Sequence, residues 1–114
     1  MQATLRPISK TIVNMYLLIS YDISNNALRL KLSKRLVYYG LDRIQYSVFV
    51  GKIKNRLFKA LKKEIQELIQ KSQPSDDKIL ILPIEKQLLE RVWLVGKDDK
   101  IISDILLQKN TLIL

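Results

Sequence analysis

The chain contains no cysteine and no histidine. The first absence removes disulfides and thiolate zinc sites. The second removes the usual general base and the commonest transition-metal ligand. Ser-His-Asp and Cys-His catalysis are thereby excluded, and any chemistry must run on carboxylates, hydroxyls, Lys, Arg or a metal-bound water. Glycine is scarce: Gly40, Gly51 and Gly96 are scattered and build no phosphate-cradling loop. No apolar run approaches the roughly 20 residues that span a bilayer, and residues 1–14 have no hydrophobic core of signal-peptide length. No membrane association and a cytoplasmic location are the expectation. Acid is scarce at one end as well, since Asp22 is the only carboxylate among the first 41 residues.

What is present fits one domain. A chain of 114 residues with 47% hydrophobic and 27% charged residues supports a single core. Residues 1–14 read as an N-terminal extension, 15–96 as the folded domain and 97–114 as a tail. The net charge of +9 is concentrated. Arg29, Lys31, Lys34, Arg35, Arg43, Lys52, Lys54 and Arg56 stand against the single acid Asp42 between residues 27 and 56, whereas residues 73–114 are near neutral. A local excess of this kind suits a polyanion, and equally suits a solvated basic helix face.

Residues 15–23 read as a buried strand closed by Asp22. Ser24, Asn25 and Asn26 can each cap the helix that follows, as can Asp22. That helix spans 27–39, with Leu28, Leu32, Leu36 and Tyr39 inward, Lys31, Lys34 and Arg35 outward, and Gly40 as its stop. Residues 43–53 read as one long strand, since no turn residue precedes Gly51. Its alternation puts Arg43, Gln45, Ser47 and Phe49 on one side. Phe49 either packs under a helix or stacks on a base or sugar. A second helix runs from Asn55 to Ser72 on Leu57, Leu61, Ile65 and Leu68. Strands follow at 78–84 and 91–95. The apolar runs 101–107 and 111–114 are expected to pair with a sheet edge, in this protomer or in a partner.

Tyr21-Asp22-Ile23, the basic residues Arg29, Lys31 and Lys34, and the stretch Tyr39-Gly40 through Arg43-x-Gln45-x-Ser47-Val48-Phe49-x-Gly51 keep their order and spacing. Together they resemble a family, the small CRISPR-associated adaptation proteins. The resemblance covers residues 15–96. It implies an α+β ferredoxin-like βαββαβ fold with an additional C-terminal strand laid on the other protomer, in a homodimer. Within 43–53 it requires a division near Ser47 or Gly51. It also implies a metal-dependent endonuclease acting on RNA or DNA, and the central subunit of the complex that inserts new spacers.

Under this resemblance Asp22 of each of two protomers would share one Mg²⁺ or other divalent ion, which typically takes one or two carboxylates and completes its shell with water and phosphate. Tyr21, Arg29, Arg43 and Phe49 match positions that the family associates with activity. Arg29, Lys31, Lys34, Arg35, Arg43 and Ser47 would contact nucleic acid, Lys31 without the bidentate fork of an Arg. Ser47 would either bind phosphate or hold strand ends. An integrase subunit is the implied protein partner, with the tail 101–114 as its expected docking surface. Two other readings compete: a non-catalytic DNA-binding scaffold for that integrase, and a generic ferredoxin-like RNA-binding module. The latter would need an aromatic pair where strand two offers one aromatic.

Overall fold

The structure is a computed structural model describing residues 14–72, 76–97 and 100–111; of Asn14 and of 108–111 it describes the backbone alone. The N-terminal extension and the run 111–114 therefore fall almost wholly outside the described residues. Strand β1 spans Asn14–Asp22, helix α1 Asn26–Tyr38, β2 Asp42–Gln45, β3 Val48–Lys54 and α2 Asn55–Gln70. Strand β4 spans Lys78–Ile84, the short helix α3 Lys86–Leu89, and α4 Ile101–Thr111. The strands form one antiparallel sheet in the order β2-β3-β1-β4. This is the expected ferredoxin-like α+β arrangement, with β1 central because each crossover helix carries the chain past a neighbouring strand.

Pleating gives β1 two destinations. Leu17, Ile19, Tyr21 and Ile23 turn toward α1 and α2, where they meet Leu32 and Leu36 of α1 and Phe58, Leu61, Ile65 and Leu68 of α2. Phe58, not Leu57, heads the core stripe of α2, and Leu57 is exposed. Tyr16 and Leu18 turn to the second face, with Val50, Ile84 and Leu89. Ile102 and Ile105 of α4 cover that face over β2 and β3.

The ends of α1 are fixed locally. Asn25, not Asp22, is its N-cap and accepts from the amide of Leu28 at 2.9 Å, a contact worth about 1 kcal/mol. At the other end the amide of Gly40 donates to Val37 O and that of Leu41 to Leu36 O. This double closure places Gly40 at φ +95°, a conformation that disfavours any side chain. The turn then lies directly on β3. A Cβ at Gly51 would stand 2.7 Å from Leu41 Cδ2 and 2.8 Å from Leu41 Cα. Gly51 is thus required by close backbone approach, which sets where β2 begins.

Three expectations are corrected. Residues 43–53 are a hairpin rather than one strand, turning at Tyr46-Ser47 with a register shift between Arg43 and Gln45. The turn carries no Gly, Pro or Asn, so β-propensity concealed it. Residues 91–95 form no strand. The run from Ile101 is helix α4, not a pairing strand. Ile101, Ile102, Ile105 and Leu106 recur with helical spacing and bury one stripe on the sheet.

Candidate nucleic-acid and metal site

Asp22 is the last residue of β1 and is exposed. In the pleat it follows Tyr16, Leu18 and Ser20 onto the second face, at the end that α4 leaves open. Its cross-strand partner is Lys78 at the start of β4, so a cation borders the carboxylate. Leu80 and Leu82 continue the same face of β4 and are exposed. No group of three or more acidic or other metal-ligating residues that could hold an ion occurs among the described residues.

The loop after Asp22 is tied from two sides. Arg29 Nη1 donates to the carbonyls of Ile23 at 2.7 Å and Ser24 at 3.0 Å, while its Nε is buried without a partner. From the residue just before β4, Asp77 Oδ1 accepts from the amide of Ser24 at 3.1 Å and from its hydroxyl at 3.0 Å. Asp77 Oδ2 accepts from the hydroxyl of Ser72 at the end of α2. The Ser72 hydrogen bond foremost, then those from Ser24 and the charge of Arg29, hold the Asp77 carboxyl below the ordinary carboxylate range against an opposing burial effect. One acid therefore joins α2, β4 and the segment carrying Asp22. Sequence reading missed Asp77, because its partners lie 53 and 5 residues away and no local pattern connects them.

The remaining predicted residues gather on the helix side of the sheet. Tyr21 is buried, its amide donates to Ser47 O at 3.1 Å, and its ring stacks on Phe49 with centroids 6.2 Å apart. Tyr21 and Asp22 thus leave β1 on opposite faces. Phe49 is 1% exposed: it is a core residue whose ring underlies Arg43, not a free stacking surface. Arg43 is the cross-strand partner of Phe49. Its guanidinium lies 5.0 Å from the centroid of Phe49 and 5.7 Å from that of Tyr46. The shared side expected for Arg43 and Phe49 is present, but the hairpin creates it. Ser47 holds strand ends through its carbonyl.

Of the cations expected to meet nucleic acid, Lys31, Lys34 and Arg43 are exposed. Arg35 is not free: it forms a two-pronged pair with Glu64 at 2.7 and 3.0 Å. Tyr39 donates its hydroxyl to the same carboxylate. Hydrogen bonds from Arg35 and then Tyr39 lower the Glu64 pKa, and the bond to Glu64 raises that of Tyr39. Arg29 likewise spends Nη1 on backbone, which makes it a positioning residue for the Asp22 loop.

Residues 15–92 match the family model of CRISPR associated protein Cas2. The chain belongs to the Cas2 family. It is 35% identical over 82 residues to the CRISPR-associated endoribonuclease Cas2 2 of Pyrobaculum aerophilum, covering 72% of this chain and 87% of that one. It is also 35% identical over 79 residues to a CRISPR-associated Cas1/Cas2 endonuclease fusion of Thermoproteus tenax, covering 68% of this chain and 28% of the fusion. The crystal structure of Streptococcus pyogenes Cas2 superposes with a TM-score of 0.61 at 26% identity, over 72% of this chain and all of that one. The Cas2 match ends at residue 92, so α4 lies beyond it. No described helix is long and apolar enough to cross a membrane.

Proposed function

We propose that this chain is a divalent-metal-dependent endonuclease of RNA or DNA phosphodiesters, working as a homodimer in CRISPR spacer acquisition beside a Cas1 integrase. The observation that carries the reading is Asp22 itself, an exposed carboxylate at the end of β1 beside an open apolar half-face. One carboxylate per chain suits Mg²⁺ if a second copy supplies another, since that ion keeps several waters and binds few protein carboxylates. Exposed Leu80 and Leu82 on the same face, and Trp93 at 90% exposure, are apolar surface suited to a second copy. The names of the Pyrobaculum relative and the Thermoproteus fusion support the nuclease and the integrase partner respectively.

When bound, the metal would polarise the scissile phosphate and acidify a bound water, supplying the base that a chain without histidine lacks. The protein would contribute the rest. Asp22 would hold the ion, Arg29 and Asp77 would keep the Asp22 loop in place, and Lys78 would add positive charge beside the phosphate. Lys31 and Lys34 would retain the nucleic-acid backbone.

The test compares purified wild type with Asp22→Asn on single-stranded RNA and duplex DNA with Mg²⁺. Lost cleavage with retained binding is expected; undiminished cleavage would sink the shared-metal reading. The exposed lysines of α1 favour a second reading, a DNA-holding scaffold without catalysis. Absence of cleavage by clean wild type across metals and pH would leave that one standing. A generic RNA-binding module is disfavoured, because the second face of β1 and β3 presents no exposed aromatic among the described residues.

A further inference from the structure

Two tyrosines on the helix side of the sheet stand out together. Tyr38 is 72% exposed and Tyr46 is 69% exposed, yet each carries an arginine against its ring. The guanidinium of Arg35 lies 4.4 Å from the centroid of Tyr38, and that of Arg43 lies 5.7 Å from Tyr46. Arg35 is itself fixed by its two bonds to Glu64, and the edge of Tyr39 meets Tyr38 at 5.5 Å. Arg43 is held over Phe49, which is buried in the core. These rings are therefore positioned by the fold while staying open to solvent.

On the same side opens a shallow groove lined by Ser33, Lys34, Val37, Arg43 and Phe49. Neither tyrosine lines it, but each stands beside a cation that does: Tyr38 follows Lys34 by one helical turn, and the Tyr46 ring lies against Arg43. Its lining holds two cations and no acid. The neighbouring acid Asp42 alternates to the other face, opposite Val50. An apolar floor, two cations along it and a preset aromatic ring beside each cation suit a strand that offers phosphates and unstacked bases at once. A duplex offers phosphates but keeps its base faces stacked inside.

We propose that this groove is a stacking track for unpaired nucleotides, with Tyr38 and Tyr46 receiving bases while Lys34 and Arg43 hold the intervening phosphates. The proposal deepens the nuclease reading by giving the protein a means to distinguish single-stranded from duplex nucleic acid, and it sits apart from Asp22, on the opposite face of the sheet.

The test is fluorescence polarisation with a labelled single-stranded RNA, a single-stranded DNA and a blunt DNA duplex, at several salt concentrations and without added metal. Replacing both rings, Tyr38→Ala with Tyr46→Ala, should weaken single-strand binding by roughly twenty-five-fold or more, each stacked base counting for about fivefold or above. Duplex affinity should stay within twofold, and the salt dependence should not change because no charge is removed. The Tyr38→Phe and Tyr46→Phe pair should retain wild-type binding, since stacking uses the ring. Equal losses on single strands and duplex, or no loss on either, would overturn the proposal and leave a solvated basic face. Wild type that bound none of the three would instead refute the nucleic-acid reading itself.

Discussion

Asp77 accepts two hydrogen bonds from Ser24, one from its amide and one from its hydroxyl, and so clamps the residue that stands two places after Asp22. The clamp needs a charged carboxylate. The folded pKa of Asp77 lies below the ordinary 3.8, so its stabilisation is present above that value and is lost as pH falls through the lower, folded value. The Asp77→Asn variant should be less stable than wild type from neutral pH down to about 5. The gap should close under stronger acid. Urea unfolding at a series of pH values checks this, and a gap that did not narrow at all under acid would show that charge is not the cause.

Arg29 tests positioning against direct contact. Arg29→Lys cannot fork to the carbonyls of Ile23 and Ser24. It should reduce cleavage by up to about a hundredfold through misplacement of Asp22, while leaving the salt slope of duplex binding unchanged. By contrast Lys31→Ala with Lys34→Ala should flatten that slope by about two, one phosphate contact for each lysine. A slope flattened by about one in Arg29→Ala, which removes the charge, would return Arg29 to the phosphate.

Phe49 is core before it is anything else. Phe49→Ala should cost about 3–5 kcal/mol, enough to make its inactivity a folding defect. Phe49→Leu should largely keep stability while removing the ring beneath Arg43. Thermal melts run beside cleavage assays separate the two effects.

Gly51 should not tolerate even one added carbon. Gly51→Ala drives a methyl into the Gly40-Leu41 backbone, and overpacking of that kind costs about 1–3 kcal/mol. The melting temperature should fall by roughly 4 °C or more; an unshifted melt would show that the turn can lift off β3.

Trp93 and Leu82 bear on the assembly. Trp93→Asp with Leu82→Asp should shift the protein from dimer to monomer by light scattering and abolish cleavage together, without lowering the monomer's helix content by circular dichroism. A monomer that still cuts would place the whole active site in one chain.

The sequence made strands β1 and β4, helices α1 and α2 and the fold family legible, because apolar periodicity and the Tyr21-Asp22 and Arg43-to-Gly51 motifs are local. The hairpin was hidden by a turn of Tyr46-Ser47 that carries no Gly, Pro, Asn or Asp, only the weaker turn former Ser. Helix α4 was read as a pairing strand because an apolar tail needs a surface to cover it and the resemblance implies an extra strand, whereas its 101, 102, 105, 106 spacing is helical. At the site, the commitments of Arg29 and Arg35 were not foreseeable. Their partners, the Ile23 and Ser24 carbonyls and Glu64, are set by tertiary placement. Asp77 was invisible for the same reason.

Helix α4 covers the second sheet face over β2 and β3 and leaves Leu80, Leu82 and Asp22 bare. That makes the face directional. A body settling on it meets a wall on one side and a free edge strand on the other, so it has one place to seat and one line of approach. Among the described residues, the stretch of chain beyond the shared family core bounds this face on the β2-β3 side and leaves the end with the carboxylate open.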